Sequence, residues 1–108
     1  MKINKKKRTF KVNNKIKLTQ VADILLNSDE MITIKDRGKE FDITKKNWGY
    51  YATPSINKRL KSFGYATAII KNKVTKNIFI VLVDKEKKKI FDRYIKSENL
   101  KILKWLHE

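Results

Sequence analysis

Polar and apolar positions change period several times along this chain, and each change marks an expected element. Residues 9–12 alternate with period two, as half-buried strands do. Val21, Ile24 and Leu25 recur at helical spacing behind Thr19, a good cap, which predicts a helix over 20–27. Residues 31–34 and 40–43 read as two strands. Asp36, Arg37, Gly38 and Lys39 form the turn between them, because Gly38 accepts the positive φ a tight hairpin requires. Residues 44–52 read as a loop. Thr53 at the cap and Pro54 at the first position predict a second helix over 54–63. Its apolar positions Ile56, Leu60 and Phe63 share a face, and Gly64 ends it.

Two β-rich runs follow, 65–71 and 78–83, joined by 72–77. Asp84 is placed to cap a third helix over 85–97, with Ile90, Phe91, Tyr94 and Ile95 as its apolar stripe. Residues 100–106 read as a last strand. The expected fold class is therefore α+β, an antiparallel sheet with two to three helices. From residue 39 onward the order strand, helix, strand, strand, helix, strand fits a split βαβ, ferredoxin-like arrangement. RNA-recognition domains share that order, and their glycine- and aromatic-rich strand motif would fall at 76–83. Lys76 and Phe79 match it, but the glycine is missing and the later aromatic positions are aliphatic, so the chain is not assigned to that family.

Length and composition fit one domain with one core: 108 residues, 41% hydrophobic, one Pro and three Gly. Residues 1–8 crowd five bases before the first apolar pattern and read as a flexible basic arm, with a single α+β domain over 9–108. No apolar run reaches the roughly 18 residues of a membrane span, and no apolar stretch follows the basic N-terminus as in a secretory signal. With no Cys there is no thiolate site or disulfide. A cytoplasmic protein with no membrane partner and no cofactor is the expectation.

Charge changes this picture most. The formal net charge is +16, and 23 of the 27 bases are Lys. Residues 23–42 hold six acids against three bases, whereas residues 43–83 hold eight bases and no acid. That acid-free stretch also carries Trp48, Tyr50, Tyr51, Phe63, Tyr65 and Phe79. Cations that neutralise phosphates, interleaved with rings that stack on bases, point to a nucleic-acid partner. Three groups of residues carry the expectation. Lys45, Lys46, Tyr50 and Tyr51 belong to the aromatic loop. Trp48 is expected to fold back over the core edge, because a fully exposed indole is uncommon. Tyr50 and Tyr51 point opposite ways on extended backbone, so one packs and the other is offered to a base. Lys58, Arg59 and Lys61 lie away from the apolar stripe of the 54–63 helix, and Lys71, Lys73 and Lys76 flank the next connection.

Lys presents point charges rather than the bidentate fork that reads guanine, so low sequence specificity is expected, with RNA or single strands preferred over duplex DNA. The alternative is a non-catalytic adaptor for an acidic protein. The strand 78–83 could also pair with another chain if it lies at a sheet edge. Catalysis has little material. The single histidine, His107, is the penultimate residue, and no nucleophile or Walker motif is present. A metal-dependent nuclease would have to draw on Glu40 and Asp42 with Lys45 and Asp29 or Asp36.

Overall fold

β-Branched and aromatic residues recur in every segment between turns, and in the computed structural model, which describes residues 1–106, most of these segments pair as strands. In chain order these are β1 (Lys2–Asn4), β2 (Arg8–Lys11), β3 (Lys17–Gln20), β4 (Asp23–Leu25) and β5 (Met31–Asp36). Then come β6 (Lys39–Lys46), β7 (Gly49–Thr53), α1 (Arg59–Ser62), β8 (Tyr65–Asn72) and β9 (Ile78–Asp84). A 3-10 turn (Lys85–Lys87) leads into α2 (Lys88–Ser97), and β10 (Leu100–Trp105) follows. The strands form four small sheets, in the orders β1-β4, β2-β3, β5-β6-β7 and β10-β8-β9. Among the described residues no helix is long and apolar enough to cross a membrane.

The expected α+β class with two to three helices is thus corrected to a mostly antiparallel β protein with one substantial helix. Each lost helix has an identifiable competitor. The segment 20–27 contains β4, which pairs antiparallel with β1: Ile24 lies opposite Ile3 and Leu25 opposite Lys2. A strand partner twenty residues away is invisible to local periodicity. In the segment 54–63 only α1 is helical. Thr53 does not cap it, because its hydroxyl donates to Asp42 Oδ2 at 3.3 Å. The Ser55 carbonyl accepts from both Lys58 N and Leu60 N, which closes a local turn instead of extending a ladder. The ferredoxin-like order fails for the same reason. A crossover between parallel neighbours takes a dozen or more residues, and one helical turn does not provide it. β6 pairs instead with β5 and β7.

The chain divides into two compact units, Met1–Ile32 with Thr44–Tyr51, and Thr33–Ile43 with Ala52–Glu108. The first is built of short paired strands. Across β2 and β3, Phe10 faces Leu18, and the hydroxyls of Thr9 and Thr19 meet at 3.4 Å. Its turn before β5 is closed by Asn27 N donating to Glu30 Oε1 at 2.7 Å. Asp29 N donates to the Lys45 carbonyl and Lys45 N to the Glu30 carbonyl, so this turn braces the outer part of β6.

The second unit holds the core. Alternation on β8 turns Ala66, Ala68 and Ile70 to one face, where α2 lies. Ala68, Ile70 and Leu100 are buried, with Val81, Phe91, Ile95, Ile102 and Trp105 packed around them. Phe91 meets Trp105 edge to face, with ring centroids 6.2 Å apart. The α2 stripe is narrower than its sequence implies, since Phe91 and Ile95 pack while Ile90 and Tyr94 stay exposed. Asp84 caps as expected, its Oδ1 accepting from Glu86 N at 3.0 Å. Asp42 is buried and accepts from the hydroxyls of Thr33 at 2.6 Å and Thr53 at 3.3 Å. The turn at Arg37 and Gly38 has positive φ at both residues, 51° and 81°, the hairpin geometry that the Gly permits.

Candidate nucleic-acid interface

What the sequence pattern reads as a loop over 44–52 is a hairpin. β6 runs on to Lys46, Asn47 and Trp48 make the turn, and β7 returns from Gly49. Gly49 sits at φ 144°, a conformation that a side chain would strain. The rings around this turn are displayed, not packed. Trp48 is 68% exposed, Tyr50 60% and Tyr51 43%. Two expectations are corrected here. Trp48 does not fold back over the core. Neither tyrosine packs while the other is offered; both are open.

The open rings are nevertheless ordered by one another and by cations. Trp48 and Tyr51 stack, with centroids 6.3 Å apart and planes 19° from parallel. Lys45 Nζ lies 4.9 Å from the centre of the Tyr50 ring, within cation–π range. The two tyrosines do diverge as extended backbone requires, one toward Lys45 and the other toward Trp48. The hairpin therefore offers two separate platforms, a ring pair and a ring beside a charge. Lys46 is differently employed. Its ammonium pairs with Asp29, whose carboxylate raises the lysine pKa above the ordinary range.

A second ring-and-cation pair lies in the same unit, outside the residues that the sequence pattern singles out. The Arg8 guanidinium stands 5.3 Å over the Phe10 ring, which is itself exposed. The i, i+2 spacing on a strand puts both on one face, a signal legible once 8–11 is recognised as a strand. This unit carries ten Lys and Arg against three acids.

The remaining candidates lie in the other unit and split into two groups. Lys58, Arg59 and Lys61 surround α1 and are exposed, with Leu60 buried beneath them. The Arg59 guanidinium leans over Phe63 at 5.8 Å. Lys71 is the penultimate residue of β8, and Lys73 and Lys76 are exposed in the connection to β9. Asn72 Oδ1 shapes that connection by accepting from Val74 N and Thr75 N. α1 precedes one end of β8 and these lysines follow the other, roughly 23 Å along a strand of this length. The acid-free stretch is continuous in sequence but does not form one patch within this unit. Register adds two lysines instead. Lys101 lies directly opposite Lys71, and Lys104 opposite Ile69, so three lysines share one face of the sheet. Nothing in the local sequence reveals that pairing.

Lys39, half-buried, pairs with Asp84 at 2.9 Å and lies 5.3 Å over the Tyr65 ring. The Lys39 ammonium holds the Asp84 carboxyl below the usual range, and the hydrogen bond from Glu86 N adds to this. The same pair raises the Lys39 pKa. Among the described residues no three acids or histidines converge as a metal site would require. Asp42, which a nuclease reading would use, is enclosed by two hydroxyls, opposite to the outward face its alternation with Phe41 and Ile43 implies. His107 lies outside the described residues. Comparison with family models, with curated proteins and with solved structures gave no match.

Proposed function

We propose that this protein binds nucleic acid, neutralising phosphates with its lysines and stacking unpaired bases on the rings of the β6–β7 hairpin. One observation carries the reading: Trp48, Tyr50 and Tyr51 are all open to solvent, and each is braced by a second ring or a cation. A ring held in place but left uncovered is suited to receive another flat group, and a stacked base contributes about 1–3 kcal/mol. Bases are accessible for this in single strands and RNA loops, and enclosed in a duplex. The lysine excess supplies attraction without base discrimination, so sequence specificity is low.

Binding of short oligonucleotides to the purified chain across a salt series tests this. Affinity should fall steeply with salt, single strands should outcompete duplexes of equal charge, and Trp48 emission should quench on binding. Heparin, a polyanion without bases, should compete less well than single-stranded nucleic acid of equal charge. Equal competition by heparin would reduce the interface to charge alone, as expected for an adaptor of acidic proteins. No retention on nucleic acid at low salt would end the proposal.

A further inference from the structure

The two edges of the β10-β8-β9 sheet are built differently. β10 carries Lys101 and Lys104 and a register irregularity between Ile102 and Lys104. Charged side chains and bulges are how exposed edges are kept from pairing. β9 has no such protection. Residues 77–83 hold no charge, no Pro and no Gly, and β9 runs in unbroken register along β8. Ile78, Phe79, Ile80 and Leu82 are all exposed, Ile80 at 68%. Among the described residues β8 is the only strand hydrogen-bonded to β9.

The phase of the ladder identifies which backbone groups are unused. Asn72 N donates to the Asn77 carbonyl, and Lys85 N to the Gly64 carbonyl. Antiparallel pairs alternate, so residues 77, 79, 81, 83 and 85 bond toward β8. Ile78, Ile80 and Leu82 then turn their N–H and C=O groups to the open edge.

We infer that this edge pairs antiparallel with β9 of a second copy of the chain, about a two-fold axis through Ile80. In that register Ile80 faces Ile80, Ile78 faces Leu82 and Phe79 faces Val81. Every outward-turned residue then meets another outward-turned residue, and the exposed side chains of 78, 80 and 82 form one apolar stripe across both copies. The ends select this occupant. Lys76 lies in the connection before the uncharged run and Asp84 closes that run, so the two-fold brings Lys76 of each copy toward Asp84 of the other, whose carboxylate it would share with Lys39. A six-stranded sheet results, with only the lysine-bearing β10 edges exposed.

The test is sedimentation of the full chain over a concentration series in roughly 1 M salt, where a Debye length of about 3 Å suppresses repulsion between two basic molecules. The mass should double with concentration, and Ile80→Lys should abolish the doubling while leaving the melting temperature of the dilute, monomeric chain unchanged, because the side chain is exposed there. The absence of native Cys allows a register test. Ile80→Cys places two sulfurs across a pair with Cα atoms about 5.5 Å apart, within disulfide range, and should cross-link on mild oxidation. Ile78→Cys places them about 13 Å apart and should not. A chain that stays monomeric at every concentration overturns the inference and leaves the edge to an extended peptide of another protein. Equal cross-linking of the two cysteine variants overturns it as well.

Discussion

The sheet under α2 and the hairpin of β6 and β7 use similar residues to opposite ends. In the sheet, Ala68 is fully buried and Ile70 is 3% exposed, and Phe91 meets Trp105 beneath the helix. In the hairpin, Trp48 meets Tyr51 in the open. Both are aromatic pairs with centroids just over 6 Å apart. One removes its apolar area from water and so contributes to folding; the other leaves that area available to a partner. Aromatic content therefore says nothing about role until burial is known, and the two regions should respond to substitution in different measurements.

The largest effect is expected in the buried region. Ile70→Ala should lower stability by about 2–5 kcal/mol, seen as a fall in melting temperature, because it opens a cavity beside Ala68 and Leu100. Oligonucleotide affinity, corrected for the folded fraction, should stay unchanged. If affinity falls as much as stability, the two regions are not separable.

Trp48→Ala should do the reverse. It should weaken single-strand binding by about 1–3 kcal/mol while the melting temperature holds. Tyr50→Ala should act alike and additively with it, because the two rings belong to separate platforms. A destabilised but fully binding Trp48 variant would assign the indole to packing.

A smaller effect is expected from charge. Lys58→Glu with Lys61→Glu should leave the fold intact, since both side chains are exposed, and should weaken binding of all sequences alike. Removing each phosphate-contacting lysine should reduce the slope of affinity against salt by about one. An unchanged slope would remove α1 from the interface.

The smallest effect is in the pH response of the Lys39–Asp84 pair. The lowered Asp84 pKa gives stability that is present above the ordinary carboxylate range and lost as pH falls through the lowered value. The raised Lys39 pKa gives stability present below the ordinary lysine range and lost as pH rises through the raised value. Lys39→Met should flatten both ends of a plot of melting temperature against pH. A profile identical to that of the unaltered chain would show that the pair is screened by solvent.

Local signals are legible in the sequence and distant ones are not. The turn at Arg37 and Gly38, the cap at Asp84 and the runs that became β8 and β9 all depend on neighbouring residues, and all were legible. The helices expected over 20–27 and 54–63 were lost to partners far along the chain, β1 in one case and Asp42 in the other. At the candidate interface the clustering of rings and lysines is legible, because seven residues from Lys45 to Tyr51 contain two lysines and three large rings, but the exposure of both tyrosines is not. The exposure of Trp48 was not, because indole burial is decided by whether the turn bends toward a core. The pairing of Lys101 with Lys71 was not, because register is a property of two strands.

The position of β8 between two partners has a consequence for how the molecule opens. Successive amides of that strand are engaged alternately on β9 and β10, so none can meet solvent without the sheet separating on at least one side. Ala66 through Ile70 should therefore be the slowest residues to exchange amide hydrogen for deuterium, and their rate should report opening of the whole sheet. The amides of Ile78, Ile80 and Leu82 should exchange early in the isolated chain.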